Sequence, residues 1–372
     1  MPMFPEIFPQ VEVRVLKKDK VQPGFILCNL SNHALKVPIT VALFDYEGNI
    51  HWWFQHGSIP DMRGDIDVRT VPEGILIGGT NMAEKEEKVP PILINWKGET
   101  LWRGKIVNHH HIHRTPEGNY MFLTTEERYF KHLKVSLVGD VIIEYDPESD
   151  SVVWEWHLFD HLKPKVKRRD WSHCNTIEPD PKDSRFLYLS ARNLNSIFKI
   201  NKTTGEIVWR LGEDGDFEIS LEDRFYHQHA PEIQDNGNIL LFDNGTFRPK
   251  EVGGEYSRAL ELSLDEKSMK AQAVWSWRNN PDLFTPIWGD ADRLENGNTL
   301  IVFGNRVPPF PYPRDVDVPP FKYKFPTQTS RIIEVTSDGE KVWELEFIPA
   351  QWGVYRAEYI SCLLYTSPSP RD

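Results

Sequence analysis

The chain has 372 residues, more than one ordinary hydrophobic core holds, so it folds either as two domains or as one closed architecture of repeated units. Its 55 acidic and 43 basic residues leave a formal charge of −12, which argues against a nucleic acid or an anionic membrane as partner, since either wants a basic face. Cys28, Cys174 and Cys362 are too few and too far apart for a disulfide framework or a cysteine zinc site.

The first twenty residues, MPMFPEIFPQVEVRVLKKDK, lack the basic-then-apolar order of a signal peptide, and no run in the chain approaches a membrane span. The expected compartment is therefore cytoplasmic, or periplasmic if the native start is missing. From there a tryptophan-bearing hairpin recurs: FDYEGNIHWWF (44–54), INWKGETLWRG (94–104), YDPESDSVVWEWH (145–157), INKTTGEIVWRLG (200–212), LDEKSMKAQAVWSW (264–277) and VTSDGEKVWELEF (335–347). Between these copies lies a second hairpin: VPEGILIGG (71–79), TPEGNYMFLTT (115–125), DSRFLYLSAR (183–192), DNGNILLFDNG (235–245) and ENGNTLIVFG (295–304). Asn-Gly, Asp-Gly and Pro-Glu-Gly between alternating apolar residues specify tight turns between antiparallel strands.

About four short strands per unit of roughly fifty residues, repeated six times, read as an all-β, six-bladed β-propeller with a central channel. Two separate β-sandwiches, the competing architecture, would not share one register along the whole chain. The propeller is expected over residues 23–361. Residues 1–22 form an N-terminal segment in which the strand near Val11–Leu16 is a candidate to close the last blade, as is the stretch Phe25–Val41. The closing residues 362–372 read as a non-native tail. A proline- and aromatic-rich insertion at 303–326 reads as a rigid cover, and the tryptophans as packing between blades.

Alignment on the turn glycines turns the repeat into a site expectation. Eight residues before Gly118 stands His110, eight before Gly237 stands His229, and eight before Gly297 stands Gly289, followed by Asp290. His173 takes the matching place in its longer hairpin. These positions begin the strands that run along a propeller's channel, so His110, His173 and His229 are expected at one mouth, with Arg192 leaning into the same space. In HHHIH (109–113), strand alternation sends His109, His111 and His113 to one face and His110 to the other. A histidine-rich zinc site, with Asp290, Asp292 or Glu232 as carboxylate ligand, stays open as an alternative. No phosphate loop, GxSxG elbow or dinucleotide fingerprint is present.

The segments DWSHCN, LYLSARNLNSIFKINKTTGEIVWRLG, QHA, LLFDNG, SRALEL, DRLENGNTLI and YRAEYI resemble the arylsulfotransferase family, with similarity from about Pro23 to Ile360. The resemblance implies a six-bladed propeller that moves a sulfuryl group from a phenolic sulfate donor to a phenolic acceptor, by a ping-pong route through a sulfohistidine and with no nucleotide cofactor. It implies His229 as nucleophile and catalytic roles for His110, His173, Asn175 and Arg192. His109, Gln228 and Asp290 are the expected substrate-binding residues, no metal is expected, and a homodimer is compatible. His111 stands where the family often has an acidic residue. Two further readings stay open: a metal-dependent hydrolase or lyase on a propeller, and a non-catalytic propeller that binds a ligand at its channel.

Overall fold

A computed structural model describes residues 8–32, 37–60, 66–79, 89–304, 330–348 and 352–361. Almost every described element is a strand, and the strands assemble into six antiparallel sheets, five of four strands and one of five. The first strands of successive sheets touch one another around a common axis. This is a six-bladed propeller. The 303–326 insertion lies almost wholly, and the 362–372 tail wholly, outside the described residues.

Each blade joins one inner hairpin to one tryptophan hairpin. Blade 3, for example, consists of His109–Arg114, Tyr120–Phe130, Val135–Asp146 and Ser151–His157, from the channel outward. The ring closes through both ends of the chain. The inner strand of blade 1 is Ala357–Ser361, which pairs with Gly24–Leu30, so that blade's inner hairpin is split between the termini. That is why the tryptophan hairpin is counted six times and the inner hairpin five. Gln10–Leu16 instead pairs with Lys341–Ile348 as a fifth, outermost strand of blade 6, and Phe25–Val41 belongs to blade 1.

The recurrent tryptophans latch blade to blade. The indole N–H groups of Trp52, Trp154, Trp156, Trp275, Trp277 and Trp343 each donate to a turn carbonyl of the next blade, at 2.8 to 3.1 Å. The last of these, Trp343 to Tyr46, ties blade 6 to blade 1. Each bond contributes about 0.5–1.5 kcal/mol net, beside the larger apolar burial of the ring. Strand alternation supplies the rest of the core, with continuous apolar clusters between neighbouring blades.

Antiparallel order also separates the two ends of the channel. The turns between first and second strands, and between third and fourth, are short and lie at one end. The long connections 158–173, 213–228, 244–257 and 278–289 lie at the other, where the inner strands begin. Chemistry-bearing side chains on those connections are therefore delivered to one mouth.

A candidate active site of converging histidines

Four inner strands start at this mouth with a histidine, or directly after one, or with an aspartate. The turn-count register needs adjustment here. In blade 3 the ladder places His109 opposite Leu123, whereas in blade 5 it places His229 opposite Phe242. After His109 two residues, His110 and His111, face none on the partner strand, whereas after His229 two, Ala230 and Pro231, face one, Leu241; His110 adopts a left-handed φ of 56° within its bulge. Strict alternation therefore fails in HHHIH. His109 does not share a face with His111 and His113; its ring meets that of His110, with centroids 5.0 Å apart and the Nδ1 atoms 2.8 Å apart. His111 and His113 pack together further along the strand, centroids 5.4 Å apart, and His111 Nδ1 accepts the Ile177 amide at 3.0 Å.

The bulge aims His110 at His173, their centroids 4.8 Å apart. Tyr355 touches both His110 and His229, at 5.8 and 6.3 Å between centroids. His229 is 1% exposed. Its Nδ1 lies 2.7 Å from Asn244 Oδ1, while Asn244 Nδ2 donates to the carbonyls of Thr285 and Trp288, both at 2.7 Å. With the amide nitrogen occupied by two carbonyls, the oxygen must face the ring; Nδ1 then carries the proton and Nε2 the lone pair. Burial first, and then the Arg192 guanidinium, hold His229 well below its ordinary pKa, against a smaller opposing effect of the Asn244 bond. The ring is neutral at pH 7.

Arg192 opens a short turn after the second strand of blade 4 and is buried. Its Nη1 donates to Asn193 Oδ1 and its Nη2 to the Pro286 carbonyl, each at 3.0 Å, while its buried Nε has no hydrogen-bond partner among the described residues. Asn193 in turn donates to the Asp170 carbonyl at 2.8 Å. Asp170 Oδ2 lies 2.5 Å from His173 Nδ1. Burial opposes the charge on Asp170, but His173, Arg192 and Arg168 outweigh it and hold the carboxyl below its usual range. On the other flank His109 Nε2 stands 3.1 Å from Asp140, whose second oxygen accepts Ser172 Oγ at 2.5 Å and the Cys174 amide at 2.9 Å. His110, buried and close to His173 and His109, is pushed well below its ordinary pKa.

The remaining expected residues sit differently. Asn175 Nδ2 donates to the Gln228 carbonyl at 2.8 Å, and Gln228 Nε2 donates to Ser190 Oγ at 3.1 Å and the Ser196 carbonyl at 2.9 Å. Both are buried bridges between blades 4 and 5 rather than open groups at the mouth. Asp290 belongs to a charged throat, together with Asp67, Arg69, Arg356, Glu178, Glu232, Asp292 and Glu358. Burial raises Asp290 to about 6 and Glu178 to about 7. Asp67 Oδ2 accepts Arg69 Nε at 3.1 Å and lies 3.9 Å from Arg356 Nη1. A cavity of about 160 Å³ opens beside Arg69, His113, Glu178 and Glu358. No three His, Cys, Asp or Glu side chains among the described residues are arranged to hold a metal.

Sequence reasoning did not single out Asn244, Asp170, Asp140, Tyr355 or Arg356. Four of these stood inside quoted motifs, Asn244 in LLFDNG, Asp170 in DWSHCN, and Tyr355 and Arg356 in YRAEYI. Their partners come from other connections, which a linear motif does not display.

A propeller whose mouth gathers imidazoles, one of them neutral with a directed lone pair, around a buried guanidinium has the groups to hold and attack an anionic substrate. A sequence model of the arylsulfotransferase (ASST) family matches residues 11–347, and the chain belongs to that family. Two curated relatives are both described as arylsulfate sulfotransferase AssT. The one from Escherichia coli O6:H1 is 25% identical over 378 residues, covering 78% of this chain and 62% of the relative. That from Lelliottia amnigena is 23% identical over 360 residues, covering 73% and 59%. The chain thus spans about three fifths of the length of these relatives. A solved structure of a protein of unknown function from Bacteroides caccae is similar in fold, with a TM-score of 0.54, 14% identity, and coverage of 91% of this chain and 99% of that one.

Proposed function

We propose that the protein is an aryl-sulfate sulfotransferase that works by a ping-pong route through a sulfohistidine at His229 Nε2 and needs no nucleotide sulfuryl donor. The observation that carries this reading is the Asn244 bond, which fixes the His229 tautomer and leaves Nε2 as a neutral nucleophile beside Arg192. The two curated relatives, named arylsulfate sulfotransferases, support the same substrate class, a phenolic sulfate as donor and a phenol as acceptor.

In the first half-reaction Nε2 attacks the sulfur of an aryl sulfate, the N–S bond forms, and the S–O(aryl) bond breaks. The departing phenolate takes a proton from His173, whose imidazolium is stabilised through Nδ1 by Asp170. Nδ1 of His229 keeps its proton on Asn244, so the positive charge that develops on the ring meets an amide oxygen. In the second half-reaction an acceptor phenol gives its proton to His173, its oxygen attacks the sulfur, and Nε2 leaves as neutral imidazole. Arg192 stabilises the sulfuryl oxygens in both halves, a contribution of about 2.7–4 kcal/mol for one well-placed donor. His110, kept neutral, lines the same space as a hydrogen-bonding group.

The test is intact-protein mass after incubation with p-nitrophenyl sulfate and no acceptor. The expected result is one sulfuryl adduct per chain, released on adding a phenol and absent from His229→Ala. Donor turnover by the wild-type protein with no adduct at any time would overturn the proposal.

A further inference from the structure

Phe247 lies on the mouth connection 244–257 with its side chain 43% exposed and a left-handed φ of 64°. That backbone region disfavours bulky side chains, and glycine is the residue that adopts it without cost. The neighbours leave the loop no alternative. Gly245 at φ 70° admits no side chain, because a Cβ would stand 1.9 Å from the Tyr256 carbonyl. Arg248 forms a fully buried pair with Asp243 at 2.6 Å and lies 4.2 Å from the centre of the Tyr256 ring. The Phe247 amide donates to Glu255 at 3.1 Å. A strained backbone held this firmly, carrying an exposed aromatic ring, points to a task for the ring rather than to packing.

The surroundings say which task. Thr246 Oγ1 and Arg192 Nη2 donate to the same acceptor, the Pro286 carbonyl, each at 3.0 Å, so the residue preceding Phe247 is tied to the guanidinium of the candidate site. The ring of Phe247 meets His227 edge-on, with centroids 5.2 Å apart. His227 also has a left-handed φ, of 56°, its amide is fixed by Asn195 Oδ1 at 2.8 Å, and it lies within electrostatic reach of Arg192, His173 and His229. Burial keeps its imidazole neutral.

We infer that Phe247, backed by His227, is the specificity-determining wall on which the aromatic ring of the substrate stacks while its sulfuryl group sits at Arg192 and His229. The inference rests on the sulfotransfer reading for the position of the sulfuryl group, but it commits separately to the ring. Its ligand class is a planar aryl sulfate or phenol, and a non-aromatic sulfate gains nothing from it. His227, two residues from the nucleophile, acts as a positioning residue for that wall.

The test measures calorimetric binding of benzenesulfonate and methanesulfonate, neither of which can transfer its sulfonyl group, to the wild-type protein and to Phe247→Gly and Phe247→Trp. Phe247→Gly is expected to weaken benzenesulfonate on the order of tenfold, the scale of one lost stacking partner. Methanesulfonate affinity should stay within twofold, and Phe247→Trp should restore the preference for the aryl ligand. Glycine relieves the left-handed strain, so the Tm of Phe247→Gly should be equal to or above that of the wild type. Equal loss of both sulfonates, or unchanged benzenesulfonate binding, would overturn the inference, as would a fall in Tm accompanied by loss of both ligands. Persistence of the aryl preference in a protein that never forms the sulfohistidine would support the wall and overturn only the sulfotransfer reading.

Discussion

The mouth and the throat of one channel resolve the same problem in opposite directions. At the mouth, His110 and His229 are held below their ordinary pKa; in the throat, Glu178, Asp290 and Asp292 are held above theirs. Burial drives both toward neutrality, because a charge in a poorly solvated interior costs free energy whatever its sign. The consequences differ. A neutral imidazole is a nucleophile, whereas a neutral carboxyl is a stored proton beside Arg69 and Arg356. The proposed reaction chemistry therefore draws on the mouth, and the throat is a charged lining of the same channel.

The largest effect that sharpens this contrast, beyond loss of His229 itself, is expected from Asp170→Asn. The variant keeps the shape of the site but removes the charge that supports a His173 imidazolium. The rate of sulfohistidine formation should fall by about 10²–10⁴-fold, most steeply for donors with poor phenolate leaving groups. Equal losses for good and poor leaving groups, read by rapid-quench mass measurement, would remove His173 from the proton-transfer role.

Arg192→Gln should slow transfer by about 10²–10³-fold. It should also move the acid limb of the kcat/KM profile. In the wild-type protein that limb lies below pH 6.5, because His229 is held below its ordinary value by burial and by Arg192. Without the nearby cation, protonation of His229 becomes easier, so the limb shifts upward. A downward shift, or none, would show that the guanidinium does not act on this ring.

The smallest effect belongs to the throat and is one of stability. Glu178, raised to about 7, keeps in the folded state a proton that the unfolded chain releases near 4.5. The folded state binds more protons between these values, so this group makes stability fall as pH climbs from about 4.5 to 7. His110 and His229 do the reverse, since they lose in the folded state a proton that the unfolded chain holds up to 6.5. Glu178→Gln should thus raise the unfolding free energy at pH 8 more than at pH 4.5, by about 1–2 kcal/mol after discounting for a side chain 27% exposed, read by denaturant unfolding at the two pH values. First-turnover sulfohistidine formation should be unchanged. A large loss of transfer in this variant would erase the distinction between mouth and throat.

How far the sequence reached varies from residue to residue. His229 and His110 were found by counting back from a turn glycine, since turn chemistry and strand period are local. The bulge after His109 was not found, and it changes both the ladder partner and the face of that histidine. Gln228 and Asn175 carried family motifs, yet tertiary packing makes them hydrogen-bond bridges between blades. Phe247 had no motif; its signal is a φ angle, which composition does not reveal.

The sequence by itself determined the repeated strand pattern, the number of blades and the convergence of His110, His173, His229 and Arg192 at one end. Alternation, turn residues and the recurrent tryptophans act over a few positions, so they can be read directly. Only the tertiary structure decided that Ala357–Ser361 closes blade 1, that His173 is paired with a carboxylate, and that His229 presents Nε2. Ring closure joins positions more than 300 residues apart, as in Cys28 with Ala357. The tautomer depends on Asn244, 15 residues on, and on carbonyls of Thr285 and Trp288 further along the chain. A hydrogen-bond network is a property of where segments meet, and no local pattern encodes that.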